Sequence, residues 1–277
     1  MSVFDQYLIL SDMDGTFLGE NATLLQKNLD AILEFSRQGG LFSLATGRDD
    51  AVMQYIFPHA KDYLNAPAIL GNGCYLMDYQ SDTKMPLATL PKEQLLPILK
   101  DFENRFPEVT YRISFDLGYL CPQDRPYPFP ETSPIRNICL RLPFDKFLSY
   151  PWYKVVFRGN IENIGAICDY FHHLSLDFAD TTTSDATLFE ILPKGTNKGS
   201  AVPYLRSLFP DRLIVGVGDY HNDLSLLNAS DLAFCPANAV DEIKQISSFH
   251  LCHHRDGCIA DLINHLKTSG TKTFRRK

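Results

Sequence analysis

The sequence lacks the features that mark several large classes of protein. No apolar run approaches the ~20 residues that cross a bilayer, and the first residues show no basic segment leading into an apolar core. The seven cysteines are scattered, odd in number and free of any C-x-x-C pair. Acidic residues outnumber basic ones, 33 to 26, so no general attraction to nucleic acid or anionic membrane is expected. These absences predict a cytoplasmic protein that binds neither nucleic acid nor membrane. We separately expect a monomer or weak homodimer.

Short apolar runs alternate with helical patterns at both ends of the chain. The run from Tyr7 ends at Asp12, and the run from Leu213 ends in a segment with two further aspartates. Such alternation is typical of a doubly wound α/β fold with a parallel, Rossmann-like sheet. The middle is less regular, with five prolines between Pro122 and Pro134, and resembles an α+β insertion. We therefore predict a discontinuous core, residues 1–81 and 188–277, and an α+β cap domain, residues 82–187.

Two carboxylates two residues apart follow the first predicted strand, in Asp12-Met13-Asp14-Gly15-Thr16. Ligands of open α/β sheets bind at the carboxyl ends of strands, where one carboxylate can attack or bind metal while the other handles a proton. By chance this pattern is expected in only roughly a few of every thousand chains of this length. The alternative is an ordinary aspartate-rich turn.

Two weaker motifs carry groups that hold anions. Thr46-Gly47-Arg48 follows the second strand and offers a hydroxyl and backbone N–H groups, although a helix N-cap would look the same. Lys198 lies in a glycine-rich segment before a helical pattern, where an anion would offset the repulsion between the lysine and the positive end of the helix. A solvated surface lysine is the alternative.

A fourth motif, Gly218-Asp219-Tyr220-His221-Asn222-Asp223, follows the strand at Leu213. Asp219 and Asp223 are four residues apart, so one helical turn places them on the same side. Carboxylate oxygens suit Mg²⁺. A simple helix cap is the alternative.

The order of these four motifs resembles the haloacid dehalogenase superfamily, and most closely its Cof-type phosphatases with a class IIB cap. The resemblance covers residues 5–80 and 188–267, and the insertion lies where that family places its cap. Two departures stand out. Tyr220 occupies a position that is usually glycine, and Pro236-Ala237-Asn238-Ala239 lacks the usual glycine before Asn238.

The resemblance implies a role for each motif. Asp12 is the expected nucleophile, and Asp14 is the general acid and then the general base, which requires Asp14 protonated while Asp12 is charged. Thr46 and Lys198 are expected to hold the phosphoryl oxygens. The implied metal is Mg²⁺, and its expected ligands are Asp12, the Asp14 backbone carbonyl, Asp219 and Asp223, the last directly or through water. The expected substrate-binding residues are Thr46, Gly47, Arg48, Asn72, Lys198 and Asn222.

The function that follows from this resemblance is Mg²⁺-dependent hydrolysis of a small phosphorylated metabolite, a sugar phosphate above all, through an aspartyl-phosphate. The cap is expected to close over the site as a lid. Two alternatives stay open: a phosphomutase, and a non-catalytic sensor of a phosphorylated ligand. A zinc site at Cys252-His253-His254 with Cys258 is not expected, because structural zinc usually takes separated ligand pairs.

Overall fold

The structure is a computed structural model that describes residues 3–269, so residues 1–2 and 270–277 of the predicted core lie outside the described residues. It divides into two compact units. Among the described residues, unit 1 comprises 3–48, 56–87 and 197–269, and unit 2 comprises 49–55 and 88–196. Within residues 3–269, no helix is both long enough and apolar enough to cross a membrane.

The strands are β1 (Tyr7–Ser11), β2 (Leu41–Leu44), β3 (Ala68–Leu70), β4 (Tyr75–Asp78), β5 (Thr83–Pro86), β6 (Thr110–Phe115), β7 (Gly118–Pro122), β8 (Cys139–Leu142), β9 (Lys154–Arg158), β10 (Ala179–Asp185), β11 (Leu188–Pro193), β12 (Leu213–Val217), β13 (Leu232–Pro236) and β14 (Phe249–Leu251). The α-helices are α1 (Gln26–Arg37), α2 (Asp50–Ile56), α3 (Ala60–Tyr63), α4 (Lys92–Arg105), α5 (Ile161–Leu174), α6 (Val202–Leu208), α7 (Leu224–Ala229), α8 (Asp241–Ile246) and α9 (Cys258–Ser269).

Unit 1 is built on a five-stranded parallel sheet in the order β14-β13-β12-β1-β2, which confirms the predicted α/β fold. Every residue of β1 is buried, as expected for a central strand covered on both faces. Helix α1 lies against α9, and one core cluster joins Leu8 and Leu10 to Val202, Leu205 and Leu226 of α6 and α7. Strand β1 pairs with β2, the next strand of this sheet along the chain, on one side and with β12 on the other. The order of strands therefore switches at β1.

Unit 2 contains a six-stranded sheet in the order β10-β11-β9-β6-β7-β8. Its pairs are antiparallel except for β7 and β8. Helices α4 and α5 contribute Phe102 and Phe171 to a cluster that includes Tyr111, Phe157 and Phe189 of the sheet. The Phe102 ring packs edge-on against Phe157, with the ring centroids 4.7 Å apart. Aromatic side chains therefore form the core of this unit.

The limits of the two units differ from the predicted core and insertion at three places. Strand β5 belongs to unit 1 because it pairs with β4. Strand β11 belongs to unit 2 because it pairs with β9 and β10. Residues 49–55, expected in the core, group with unit 2.

We predict that Phe102→Ala lowers the free energy of unfolding of unit 2 by about 3–5 kcal/mol, because truncation leaves a cavity among the surrounding rings. Urea unfolding followed by tryptophan fluorescence measures this change, since the single tryptophan, Trp152, is buried in unit 2. Leu117→Ala is the matched control, because Leu117 is 76% exposed. Equal effects of the two substitutions would contradict the assignment of Phe102 to the core.

Candidate active site

Polar segments follow three neighbouring strands of the unit 1 sheet. Asp12 comes directly after β1, Thr46 follows β2, and Asp219 and Asp223 follow β12. Because these strands are parallel, their carboxyl ends meet at one edge, and the side chains that follow them converge there. The site therefore lies where the order of strands switches.

Lys198 lies at the centre of this edge and is fully buried. Its ammonium group donates to Asp12 Oδ1 and to Asp223 Oδ1, both at 2.5 Å. Asp223 Oδ2 in turn accepts from the backbone N–H groups of Asp219 and Tyr220, at 2.9 and 3.1 Å. Lys198 is therefore not the solvated lysine that the sequence left possible, but the cation between two buried carboxylates.

Three carboxylates lie close enough to share one divalent cation. One oxygen from each of Asp12, Asp219 and Asp223 lies within 4.8 Å of the others. Thr16 Oγ1 donates to Asp219 Oδ1 at 2.8 Å, which fixes the orientation of that carboxylate. Clustered carboxylate oxygens are the donor set that Mg²⁺ prefers, so the residues present suit the expected ion.

The charges of this cluster shift one another's pKa values. Burial, followed by the charge of Asp223, raises the pKa of Asp12 well above its usual range, against the opposing effect of Lys198. Burial also raises the pKa of Asp219 to about 6, although its hydrogen bond from Thr16 acts against the shift. Burial alone would lower the pKa of Lys198, but Asp12 and Asp223 outweigh it and the pKa is raised. The lysine is therefore held as a cation, while the carboxylates repel one another and gain from a further positive charge.

Asp14 forms a two-pronged ion pair with Arg48. Arg48 Nε and Nη2 donate to the two carboxylate oxygens of Asp14 at 2.7 and 2.6 Å. The Asp14 side chain is 54% exposed, whereas Asp12 is buried. The two carboxylates of the first motif thus have different surroundings, although they are only two residues apart.

The other predicted substrate-binding residues of unit 1 gather around the end of β2. Thr46 is buried, and its hydroxyl oxygen accepts from Arg48 N at 3.1 Å. Asn72 is buried in a left-handed conformation, and its backbone N–H donates to Thr46 O at 3.0 Å. A Cβ on Gly47 would lie 3.0 Å from the Asn72 amide, so glycine allows these segments to approach closely. Asn222 is half-buried in the turn between Asp219 and Asp223.

The cysteine and histidine group near the end of the chain binds the turn that carries the carboxylates. Cys258 Sγ donates to Thr16 O at 3.1 Å, and a ring nitrogen of His254 bonds Leu18 O at 2.7 Å. Among the side chains that the structure describes, the aspartate cluster is the one group of three or more metal-ligating side chains that lie close together. The contacts of Cys258 and His254 give these two residues a structural role.

Two site residues were not identified from the sequence. Thr16 belongs to the first motif, but the sequence does not show that it is the partner of Asp219. Asn238 lies in a segment that departs from the family pattern, yet its side chain donates to Gly15 O at 2.7 Å and accepts from His254 N at 3.0 Å. In the sequence, only their positions within motifs mark these two residues, and a position in a motif does not show what a side chain contacts.

We predict that Gly15→Ala weakens Mg²⁺ binding about ten- to a hundredfold, the range for groups that orient metal ligands. Gly15 has φ +78°, and an added Cβ would lie 2.4 Å from Asp219 Oδ2, so the carboxylate must move. The measurement is calorimetric titration of the purified protein with Mg²⁺.

Gly195→Ala is the matched control for this substitution. Gly195 has φ +73°, so its backbone strain is comparable, but nothing lies within 4 Å of an added Cβ. Both variants should lose about 1 kcal/mol of stability, whereas only Gly15→Ala should lose affinity for the metal. Unchanged Mg²⁺ affinity in Gly15→Ala would show that Asp219 is not a ligand.

Comparison with known proteins identifies the family of this chain. A family model described as haloacid dehalogenase-like hydrolase matches residues 9–263. A 5-amino-6-(5-phospho-D-ribitylamino)uracil phosphatase of Bacillus subtilis (strain 168) is 24% identical, and the alignment covers 87% of this chain and 90% of that protein. A haloacid dehalogenase-like hydrolase from Bacteroides thetaiotaomicron has a similar crystal structure, with a TM-score of 0.78 and 17% identity over 94% of this chain and 99% of that one.

A further solved structure, that of the subclass IIB sugar phosphatase BT4131, has a TM-score of 0.75 and 15% identity, and covers 94% of this chain and 98% of that one. The family match extends over nearly the whole chain, and it includes all four motifs. The chain therefore belongs to the haloacid dehalogenase-like hydrolases, in their Cof-type branch, and is a phosphatase.

Proposed function

We propose that this protein hydrolyses a small phosphorylated metabolite, a sugar phosphate, in a Mg²⁺-dependent reaction that passes through an aspartyl-phosphate on Asp12. The observation that carries this proposal is the buried Asp12 carboxylate, which lies at the end of β1 in contact with Lys198 and beside two further aspartates. A nucleophile, a cation and a cluster of oxygen ligands are thus in one place.

Asp12 is the nucleophile in this proposal. One of its carboxylate oxygens attacks phosphorus, and the bond between phosphorus and the leaving oxygen breaks. Contact with the Lys198 ammonium favours the ionised form that attack requires, against the effects of burial and the neighbouring carboxylates. The hydrogen bond from Lys198 also orients this carboxylate before a phosphoryl group arrives.

Asp14 is the general acid and base. It gives a proton to the leaving oxygen, and later takes one from the water whose oxygen attacks phosphorus and releases phosphate from Asp12. In the ion pair with Arg48 both oxygens of Asp14 act as acceptors. Asp14 must therefore leave this pair and gain a proton before it can serve as the acid. The ion pair with Arg48 must open before the acid acts.

Thr46 and Lys198 hold the oxygens of the transferring phosphoryl group in this proposal, with Gly47, Asn72 and Asn222 as further contacts. The Thr46 hydroxyl and the Lys198 ammonium come from the ends of different segments that meet at the same sheet edge. Hydrogen bonds and positive charge fixed before the reaction stabilise the charge that develops on the phosphoryl oxygens.

Asp12, Asp219, Asp223 and the backbone carbonyl of Asp14 would hold the Mg²⁺ ion. When bound, Mg²⁺ supplies positive charge that screens the carboxylates and the phosphoryl oxygens from one another. The three carboxylates meet the requirement for oxygen ligands, and their mutual repulsion favours binding of a cation.

The names of two related proteins support a sugar phosphate as the substrate class. One similar structure is named a sugar phosphatase, and the curated relative from Bacillus subtilis is named for a phosphoribityl compound. Both names point to a phosphate ester on a polyhydroxylated carbon chain. The leaving group would then be an alkoxide, which needs a proton from a general acid.

We predict that Asp12→Asn lowers kcat at least about a thousandfold, equivalent to about 4 kcal/mol of activation free energy, while the fold is retained. An amide cannot form the covalent intermediate, but it keeps the shape of the side chain. Phosphate release from a sugar phosphate measures kcat, and circular dichroism checks the fold. An active Asp12→Asn protein would contradict the covalent mechanism.

We predict that Asp14→Asn separates the two halves of the reaction on an aryl phosphate. A phenolate leaves without a proton, so about one equivalent of phenol should appear rapidly, followed by slow turnover because no base activates water. Rapid-mixing kinetics measures the burst, and mass spectrometry of the quenched protein should locate one phosphate on Asp12. Fast steady turnover by this variant would contradict the role of Asp14.

A further inference from the structure

The loop that carries Asp14, residues 13–18, does not have the backbone conformation of a regular helix. Asp14 has φ −85° and ψ 121°, and Gly15 has φ 78° and ψ 0°. Carbonyl groups outside regular helices and strands need hydrogen-bond partners from elsewhere, because a buried carbonyl without a partner is costly. The conformation of this loop, and with it the position of Asp14, therefore depends on the groups that hold its carbonyl oxygens.

Four consecutive carbonyl oxygens of the loop are bonded by side chains from other segments, and these four side chains form what we call the carbonyl clamp. Its contacts are Asn238 Nδ2 to Gly15 O at 2.7 Å, Cys258 Sγ to Thr16 O at 3.1 Å, Asn28 Nδ2 to Phe17 O at 3.0 Å and His254 Nδ1 to Leu18 O at 2.7 Å. The four side chains come from α1, from the turn after β13, from the turn before α9 and from α9 itself. Residues far apart in the sequence thus hold one short loop.

Two members of the carbonyl clamp are joined to each other. Asn238 Oδ1 accepts from the backbone N–H of His254 at 3.0 Å, while Asn238 Nδ2 donates to Gly15 O. A backbone N–H can only donate and a carbonyl oxygen can only accept, so these two contacts define which way the Asn238 amide faces. Asn238 therefore uses both ends of its amide to join the loop to the segment that follows β14.

Asn238 is the clamp member whose contact lies next to the carboxylates of the site. The carbonyl group that it holds belongs to Gly15, which directly follows Asp14. The turn that carries Asn238 is also bonded to the fourth motif, because Val240 N donates to Asp219 O at 3.0 Å. The Gly15 carbonyl is thus held by a segment that is itself fixed to the fourth motif.

Asp14 depends on this backbone contact because little else fixes its side chain for proton transfer. The side chain is 54% exposed, and its ion pair with Arg48 must open before Asp14 acts. Glycine has a wide choice of backbone conformations, so without the Asn238 donor the Gly15 carbonyl can turn and Asp14 moves with it. A displacement of about 1 Å in a reacting group can cost a factor of about 100 in rate.

We propose that Asn238 is a positioning residue for Asp14: its amide N–H fixes the Gly15 carbonyl, and through it the direction of the side chain that gives the proton. This inference rests on the proposed function, in which Asp14 is the general acid. Asn238 itself contacts neither substrate nor metal and acts through the Gly15 carbonyl. Its loss should slow the bond cleavage that needs a proton from Asp14 and spare the cleavage that needs none.

The variant that tests this role is Asn238→Asp, which removes the donor but keeps the shape of the side chain and the acceptor for His254 N. Asn65→Asp is the matched control, because Asn65 Nδ2 donates to Gly40 O at 3.0 Å and its Oδ1 accepts from Phe42 N at 2.7 Å. Both asparagines are half-buried in unit 1, but Asn65 bonds the beginning of β2, whereas the site lies at the carboxyl ends of the strands. Asn238→Ala separates loss of the donor from the added charge.

Rapid-quench kinetics with saturating Mg²⁺ measures the first turnover of a sugar phosphate and of 4-nitrophenyl phosphate. Release of the sugar needs a proton, whereas 4-nitrophenolate leaves without one. We expect both Asn238 variants to slow sugar release about ten- to a hundredfold and to change nitrophenolate release less than about threefold. Asn65→Asp should change neither rate, although each of the two Asn→Asp variants should lower Tm by about 2–4 °C through the lost hydrogen bond.

The Arg48 side chain gives a second readout that needs neither substrate nor metal. Arg48 Nε donates to Asp14 Oδ2 at 2.7 Å, so the nuclear magnetic resonance signal of its Nε–H reports where Asp14 lies. The ¹⁵N-labelled full chain is measured in EDTA, and the signal is assigned by its loss in Arg48→Lys. We expect this signal to shift in the same direction in Asn238→Asp and Asn238→Ala, and to stay in place in Asn65→Asp.

Three results would overturn the positioning role. They are an Arg48 signal that stays fixed in both Asn238 variants, sugar and nitrophenolate release slowed by the same factor, and the same selective loss in Asn65→Asp. Failure of the proposed function looks different. A shifted Arg48 signal with unchanged sugar release supports the positioning of Asp14 and contradicts its role as the acid. If the wild-type protein hydrolyses no sugar phosphate, the proposed function fails, and the Arg48 signal still decides whether Asn238 positions Asp14.

Discussion

The contact of Lys198 with Asp12 and Asp223 is the interaction on which the site depends. A fully buried lysine is costly to desolvate, and only its two carboxylate partners make that position tolerable. The partners come from segments 186 and 25 residues away in the chain, so this contact closes the first, third and fourth motifs into one cluster. Removal of the lysine would leave two buried carboxylates facing each other. We infer that the contact specifies the arrangement of the site more than it adds to stability.

The backbone segments around this cluster lie very close to its side chains and to one another, and two positions there require glycine. Glycine at position 218 is required because a Cβ there would lie 2.4 Å from the Asp223 carboxyl carbon. At position 199 a Cβ would lie 2.2 Å from the carbonyl oxygen of Ser225. The family motifs therefore specify glycines that allow backbone segments to pack closely, as well as the residues that carry the chemistry. Tyr220, which replaces the usual glycine, is tolerated because its backbone is extended, with φ −127°, and its side chain is 42% exposed.

Much of unit 1 could be predicted from the sequence because its strands are buried on both faces and end in polar motifs. Strand β10 could not be predicted, since Ala179–Asp185 is mostly threonine and aspartate and shows no apolar alternation. Strand β11 contains the buried Glu190, which pairs with Lys154 at 3.2 Å. A hydrophobic pattern in the sequence does not reveal such a buried ion pair. The ion pair of Arg48 with Asp14 joins residues 34 positions apart, so its identification required the structure.

The two units differ in how their charges are compensated. In unit 1 the lysine, the aspartates and the backbone N–H groups of the turns satisfy one another, whereas the Arg112 guanidinium of unit 2 is surrounded by aromatic rings. Each unit is thus built on a sheet with its own hydrophobic core.

The most direct test of the central claim is phosphate release from a panel of phosphorylated metabolites, measured with Mg²⁺ and with EDTA. The account predicts Mg²⁺-dependent release that is strongest for a few sugar phosphates and abolished by EDTA. Full activity in EDTA, or no release from any panel member or from a generic aryl phosphate by the folded protein, would contradict it.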